Sequence, residues 1–93
     1  MERIYLDNAA ATPLDARVLA AMMPYLTTQY GNPSSLHYFG QQARAAVQTA
    51  RGQVAACLHV KLQDIVFTSG GTEADNLAIL GYLRANHPQG GHL

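Results

Sequence analysis

The residues best equipped for chemistry lie in one short run, Phe67-Thr68-Ser69-Gly70-Gly71-Thr72-Glu73. Two adjacent glycines let backbone amides approach a ligand with no Cβ in the way. A helix that starts there adds unpaired N–H donors and roughly half a positive charge. Thr72 adds a hydroxyl at the same place. Together these groups can cradle a phosphate. An ordinary capped turn between a strand and a helix uses the same residues, so composition leaves both readings open. The run is not a Walker loop, because no Lys-Ser/Thr follows the glycines, and it lacks the G-x-G-x-x-G spacing of dinucleotide sites.

Other polar residues carry weaker signals. Asp7-Asn8 and Asn32-Pro33-Ser34-Ser35 are loop clusters of the kind that contact substrates, and equally of the kind that bond their own backbone in turns. Of the four histidines, no two are spaced i, i+4, which argues against a metal site. Cys57 falls on an apolar helical position and reads as an inert buried thiol. Lys61, the only lysine, reads as an exposed residue in a turn between a helix and a strand. No Ser-His-acid or Cys-His pair follows from spacing.

The elements that position these residues come from periodicity. Ile4-Tyr5-Leu6 is a short β-prone run. Pro13 or Leu14 opens a first helix with Thr12 as its cap, and Leu14, Val18, Met22 and Leu26 form an apolar face. Pro24 is expected to kink that helix or end its regular part. A second helix runs from near Ser35 to about Leu58, with apolar positions at Phe39, Ala43, Val47, Ala50, Val54 and Leu58. Gly40 and Gly52 within it either cost helix stability or admit a close neighbour. Arg44 and Arg51, one heptad apart, read as a solvated face. Asp64-Ile65-Val66-Phe67-Thr68 is the clearest strand, of the unbroken apolar type that parallel sheets cover on both faces. A third helix starts at Thr72, where Thr72-Glu73-Ala74-Asp75 matches a capping box. His92-Leu93 resembles the first step into another strand.

Composition bounds the rest. The chain has 93 residues, 48% hydrophobic and 13% charged, against about 25% charged in ordinary soluble domains. Fifteen alanines thin the bulky core material. A short chain with few charges and many small apolar residues reads as the interior of something larger. Six basic and six acidic side chains cancel, which leaves no basic stripe for nucleic acid. No apolar stretch approaches the about 20 residues of a membrane span, and the first residues lack a secretory apolar region. One cysteine allows no internal disulfide, and a cytoplasmic setting is expected.

Taken together, the motifs resemble those of a known family. Tyr5-Leu6-Asp7-Asn8-Ala9-Ala10 with Thr12-Pro13-Leu14-Asp15 resembles the amino-terminal signature of cysteine desulfurases, which belong to the class V aminotransferase group of pyridoxal-phosphate (PLP) enzymes. Gly31-Asn32-Pro33-Ser34-Ser35-Leu36-His37 with Gly40 is similar to the next block. Phe67-Thr68-Ser69-Gly70-Gly71-Thr72-Glu73-Ala74-Asp75-Asn76-Leu77-Ala78-Ile79 resembles the third. The blocks follow in the family's order and cover nearly the whole chain. One departure is Ala11, where the family pattern usually has threonine.

The resemblance implies an α/β fold: the amino-terminal part of a PLP-dependent transferase type I fold, incomplete, mostly helical, with one clear strand. Residues 1–13 would give a strand and active-site loop, 14–62 helices, and 63–93 a strand, the phosphate-binding turn and a helix. Gly71 and Thr72 would hold the PLP phosphate. Asn8 and the Asn32–His37 loop would lie near the active site or a dimer interface.

The implied reaction takes sulfur from L-cysteine, leaving L-alanine and an enzyme persulfide that feeds iron–sulfur cluster or thiolation pathways. A homodimer and a sulfur-acceptor protein are the implied partners. The chemistry needs a lysine, an acidic partner for the pyridine nitrogen and a thiolate. By resemblance all three come after residue 93, and neither Lys61 nor Cys57 falls at a catalytic position. The chain is therefore expected to be an amino-terminal piece, inactive alone, of a longer enzyme. A selenocysteine lyase, another class V enzyme and a non-catalytic remnant that binds a partner are the alternatives.

Overall fold

The computed structural model describes residues 1–92. Helices dominate: α1 spans Ala16–Thr27, α2 Tyr38–Leu58 and α3 Gly71–Asn86, with one turn of 3-10 helix at Leu62–Asp64. The chain divides into two compact units, Met1–Ala50 and Arg51–Leu93. The step into a strand expected at His92-Leu93 ends on Leu93, outside the described residues.

In the first unit, the β-prone run Ile4-Tyr5-Leu6 forms no strand. The chain instead turns back on the Asp7 carbonyl. That oxygen accepts the Ala10 and Ala11 amides at 3.1 and 3.3 Å and the Tyr5 hydroxyl at 2.7 Å. Helix α1 begins later than Pro13 or Leu14, and its cap is Asp15 rather than Thr12. Asp15 wins because its carboxylate does two things at once. It accepts the Arg17 amide at 2.8 Å, which satisfies an orphan donor of the first turn. It also takes the Arg17 guanidinium on both oxygens, at 3.1 and 2.7 Å. That guanidinium, and then the amide, hold the Asp15 carboxyl below its usual range.

Pro24 does not end α1, which continues to Thr27. Proline removes one amide donor and leaves its own carbonyl free to accept. That carbonyl closes the helix by accepting the Thr28 and Gln29 amides at 2.9 and 2.7 Å. No residue of α1 is buried, and Val18, Leu19, Met22 and Met23 all stay exposed.

Helix α2 starts at Tyr38, three residues after Ser35, because residues 32–35 form a turn of their own. The Asn32 side chain accepts the Ser34 amide at 2.8 Å, and its carbonyl accepts Ser35 N–H at 3.0 Å. His37 then caps the helix. Its carbonyl takes the Gln41 amide at 3.0 Å, and its ring Nδ1 accepts the Gly40 amide at 3.4 Å. Gly40 is buried and is the close approach that the sequence allowed for. Gly52 is not, since a Cβ there would meet only Leu62 Cδ1 at 3.8 Å.

In the second unit, α2 closes on a Schellman motif. The Val60 amide donates to Ala55 O at 3.0 Å and the His59 amide to Ala56 O at 3.3 Å. Ala55 beneath this turn is the one buried apolar side chain of the described residues, at 4% exposure. His59 supplies the left-handed residue, with φ of 55°, a conformation that costs an L-residue about 1–2 kcal/mol. Replacing His59 by glycine in the full-length gene product is expected to stabilise it by about 1 kcal/mol in chemical denaturation. An unchanged or lower midpoint would mean that the His59 ring makes compensating contacts.

The strand expected at Asp64–Thr68 is absent. Asp64 ends the 3-10 turn, where its carboxylate accepts the Lys61 amide at 3.0 Å. Ile65 is extended, with φ −94° and ψ 124°, but among the described residues no strand pairs with it. Local sequence sets an extended backbone. A ladder needs a second segment, and the described residues supply none; the Ile65 amide donates instead to Leu62 O at 3.3 Å.

Candidate phosphate-binding turn

The run singled out for its chemistry sits between the extended segment and α3. Gly70 is the cap of α3, and the first helical bond is Ala74 N–H to Gly70 O at 3.1 Å. Thr72 is therefore the second helical residue and not the cap, so the box expected at Thr72–Asp75 does not form. Its place is taken by a pair one residue longer. Glu73 reaches back to Ser69, accepting its amide at 3.1 Å and its hydroxyl. The Ser69 hydroxyl, then its amide, hold the Glu73 carboxyl below the ordinary range. Asn76 donates from Nδ2 to Thr72 O at 2.8 Å, and the Thr68 hydroxyl donates to Gly70 O at 3.0 Å.

This closure leaves a consistent set of donors uncommitted. Among the described residues the amides of Gly71, Thr72 and Glu73 and the Thr72 hydroxyl have no acceptor. They belong to the positive end of a 16-residue helix. A Cβ built at Gly70 or Gly71 meets nothing within 4 Å. No neighbour within the chain requires glycine there, and the space beside the amides stays open. Free amides, a free hydroxyl, a helix dipole and open room together fit a phosphate.

The other sequence candidates are placed elsewhere. Asn8 lies in the turn at Asp7, exposed. The Asn32–His37 loop borders a shallow depression of about 330 Å³ lined by Thr28, Tyr30, Asn32, Ser35, His37 and Phe39. Cys57 is exposed on α2 rather than buried. Lys61 is exposed, as expected, but precedes a 3-10 turn rather than a strand. Among the described residues no group of three or more His, Cys, Asp or Glu could hold a metal ion, and no helix is long and apolar enough to cross a membrane.

Two side chains read from sequence as a solvated face also bond to backbone, Arg44 while exposed as expected and Arg51 while half-buried. Arg44 donates from Nε to Pro33 O at 3.0 Å and so fastens the Asn32–His37 loop. Arg51, half-buried, donates to Ile65 O and stacks with its guanidinium carbon 5.0 Å from the centre of the Phe67 ring. The only sequence signal for these roles was an arginine pair on a helix otherwise poor in charge.

Comparison with known proteins gives a consistent picture. The family model described as Aminotransferase class-V matches residues 4–93. The putative cysteine desulfurase IscS 1 of Bacillus subtilis (strain 168) is 54% identical over 93 residues, which are all of this chain and 24% of that protein. Cysteine desulfurase 2 of Trichormus variabilis is 57% identical over 93 residues, again all of this chain and 23% of that protein. Cysteine desulfurase IscS 1 of Archaeoglobus fulgidus is 46% identical over 89 residues, covering 96% of this chain and 23% of that protein. The chain thus spans about a quarter of the length of the curated relatives it matches.

Proposed function

Because the chain belongs to the aminotransferase class-V family, we propose that its full-length gene product is a cysteine desulfurase dependent on pyridoxal 5'-phosphate. Family membership carries with it the fold of PLP-dependent transferases. The proposed enzyme takes sulfur from L-cysteine, releases L-alanine and leaves a persulfide on one of its own cysteines, for iron–sulfur cluster or thiolation pathways. A homodimer, a sulfur-acceptor protein and a cytoplasmic setting belong to the same proposal.

The observation that carries the reading is the turn at Ser69–Thr72, whose free donors and open space fit the phosphate of this cofactor. PLP, when bound, supplies an electron sink for charge developed on the substrate. The residues of this chain bind and orient. The Gly71 and Thr72 amides and the Thr72 hydroxyl would donate to phosphate oxygens, and the positive end of α3 would face the same group. Ser69 and Glu73 hold the turn in the shape that presents those donors. The sulfur chemistry of the proposal is supported by the names of the relatives, which are cysteine desulfurases. Neither Lys61 nor Cys57 is assigned a part in it, since by resemblance neither falls at a catalytic position of the family.

Thr72→Ala tests this reading. It removes one hydrogen bond to a charged group, worth about 1.5–3 kcal/mol, so PLP affinity is expected to fall about 10- to 100-fold. The threonine hydroxyl has no partner within the described residues, so the melting temperature of the apoprotein is expected to stay the same. Cofactor absorbance after desalting reads the first quantity and a thermal melt the second. Unchanged affinity would take Thr72 out of the site.

A further inference from the structure

We infer that Glu73 is a positioning residue for the cofactor phosphate: its side chain is an internal anion that occupies the Ser69 donors and so confines the phosphate to those of Gly71 and Thr72. The inference rests on the proposed reading of the turn as the phosphate site, and it accounts for a carboxylate standing beside that site.

Two like charges repel, so an acidic residue next to a phosphate needs a reason. The turn carries two sets of donors. The first belongs to the helix end. Bonding within α3 starts with Ala74 N–H to Gly70 O at 3.1 Å. The amides of Gly71, Thr72 and Glu73 precede that bond and are the open donors that every helix start presents. The second set belongs to Ser69, whose amide and hydroxyl lie one residue before the Gly70 cap. An oxyanion arriving at this end of the helix has both sets to choose from.

Glu73 removes the choice. One of its oxygens, Oε2, accepts the Ser69 amide at 3.1 Å and the Ser69 hydroxyl as well. Helical side chains lean toward the N-terminus, which carries a first-turn residue back over the residues before the cap. The Ser69 hydroxyl, then its amide, favour the ionised carboxyl. An anion is therefore in place at Ser69 before any ligand arrives, and only the Gly71–Thr72 donors remain. A phosphate tied to a ring needs such a single place, since donors work only when held within about 0.5 Å of their productive geometry. Free phosphate has no such need.

The test measures dissociation constants for PLP and for inorganic phosphate on the full-length apoprotein. Glu73→Ala frees two donors and removes a negative charge. Affinity for inorganic phosphate is expected to rise about 10- to 100-fold, the worth of one hydrogen bond to a charged group. PLP, fixed by its ring, is expected to gain nothing, so its preference over inorganic phosphate falls by the same factor. Glu73→Gln keeps an oxygen that can accept both Ser69 donors. Its lost charge acts on both ligands alike, and it is expected to restore the preference. A purely structural Glu73 would shift the melting temperature and change both affinities by one factor, which would overturn the inference. A glutamine variant that behaves like the alanine one would overturn it too. Thr72→Ala, measured alongside, separates the two claims. If it weakens both ligands while Glu73→Ala leaves the preference unchanged, the phosphate site stands and the role of Glu73 falls. If it weakens neither, the reading of the turn itself falls. Should Glu73→Ala fail to fold, Glu73→Asp answers the same question. It keeps the charge but, one methylene shorter, falls short of Ser69, and a wild-type preference in that variant would overturn the inference as well.

Discussion

Replacing Gly71 by aspartate is expected to leave the fold intact and abolish retention of PLP, with the two effects of opposite sign. Gly71 is the first residue of α3. Its φ lies outside the left-handed region, and a Cβ there meets nothing within 4 Å. Backbone and surroundings therefore accept a side chain. A carboxylate in the first turn also opposes the helix dipole favourably, by about 0.3–1 kcal/mol. The apoprotein is expected to melt at the same temperature or slightly higher. The same carboxylate would stand where the phosphate belongs. Two unit charges 4 Å apart near a protein surface interact by about 4 kcal/mol. Affinity is expected to fall more than about 100-fold, since each 1.4 kcal/mol is a factor of ten. Thermal melts of the apoprotein and cofactor absorbance after desalting measure the two effects. Normal PLP retention in this variant would remove the turn from the cofactor site. Gly71→Ala, which adds the Cβ without the charge, is expected to fall between the two.

That experiment depends on a feature partly legible in the sequence. Adjacent glycines before a helical period announced open backbone donors, and the structure leaves those donors free. Which residue caps the helix was not legible. Thr72-x-x-Asp75 has the right letters for a box, but a cap depends on where helical backbone begins, and it begins at Gly71. The bonds then shift to Ser69 and Glu73. The same competition decided α1, where Asp15 displaced Thr12 because a neighbouring arginine rewards both of its oxygens.

Helix bodies were read well because their signal is local. The α2 periodicity up to Leu58 and the end of that helix match the structure. The Asp64–Thr68 strand failed for the opposite reason. Ile65-Val66-Phe67 encodes an extended, apolar segment, but a strand also requires a partner, and no local pattern supplies one. The backbone contacts of Arg44 and Arg51 were hidden for the same reason. Each acts on a carbonyl far along the chain, 11 residues away for Arg44 and 14 for Arg51. Spacing along one helix cannot reveal that. It shows which residues share a face, and it is silent on what a loop brings to that face.

Loop contact of this kind also sets the sign of the second large effect, at Gly40. Helix propensity alone makes glycine to alanine within α2 favourable by about 1 kcal/mol. At Gly40 close contacts reverse that sign. A Cβ there would lie 2.2 Å from the Ser35 carbonyl oxygen, with Ser35 C and Cβ both at 2.7 Å. The nearest of these atoms are backbone atoms of the Asn32–His37 loop, which Arg44 and the Asn32 turn hold in place. They cannot swing aside as a side-chain tip can. Relief requires moving the loop, and overpacking of this kind costs about 1–3 kcal/mol or more. Gly40→Ala in the full-length protein is therefore expected to lose about 2 kcal/mol net and to expose residues 28–37 to proteolysis. Gly52→Ala in the same helix provides the contrast, because a Cβ there meets only Leu62 Cδ1 at ordinary distance. It is expected to gain the full propensity difference of about 1 kcal/mol. Chemical denaturation of the two variants measures both. If their stabilities shift in the same direction, close approach at Gly40 is not what holds the Asn32–His37 loop against α2.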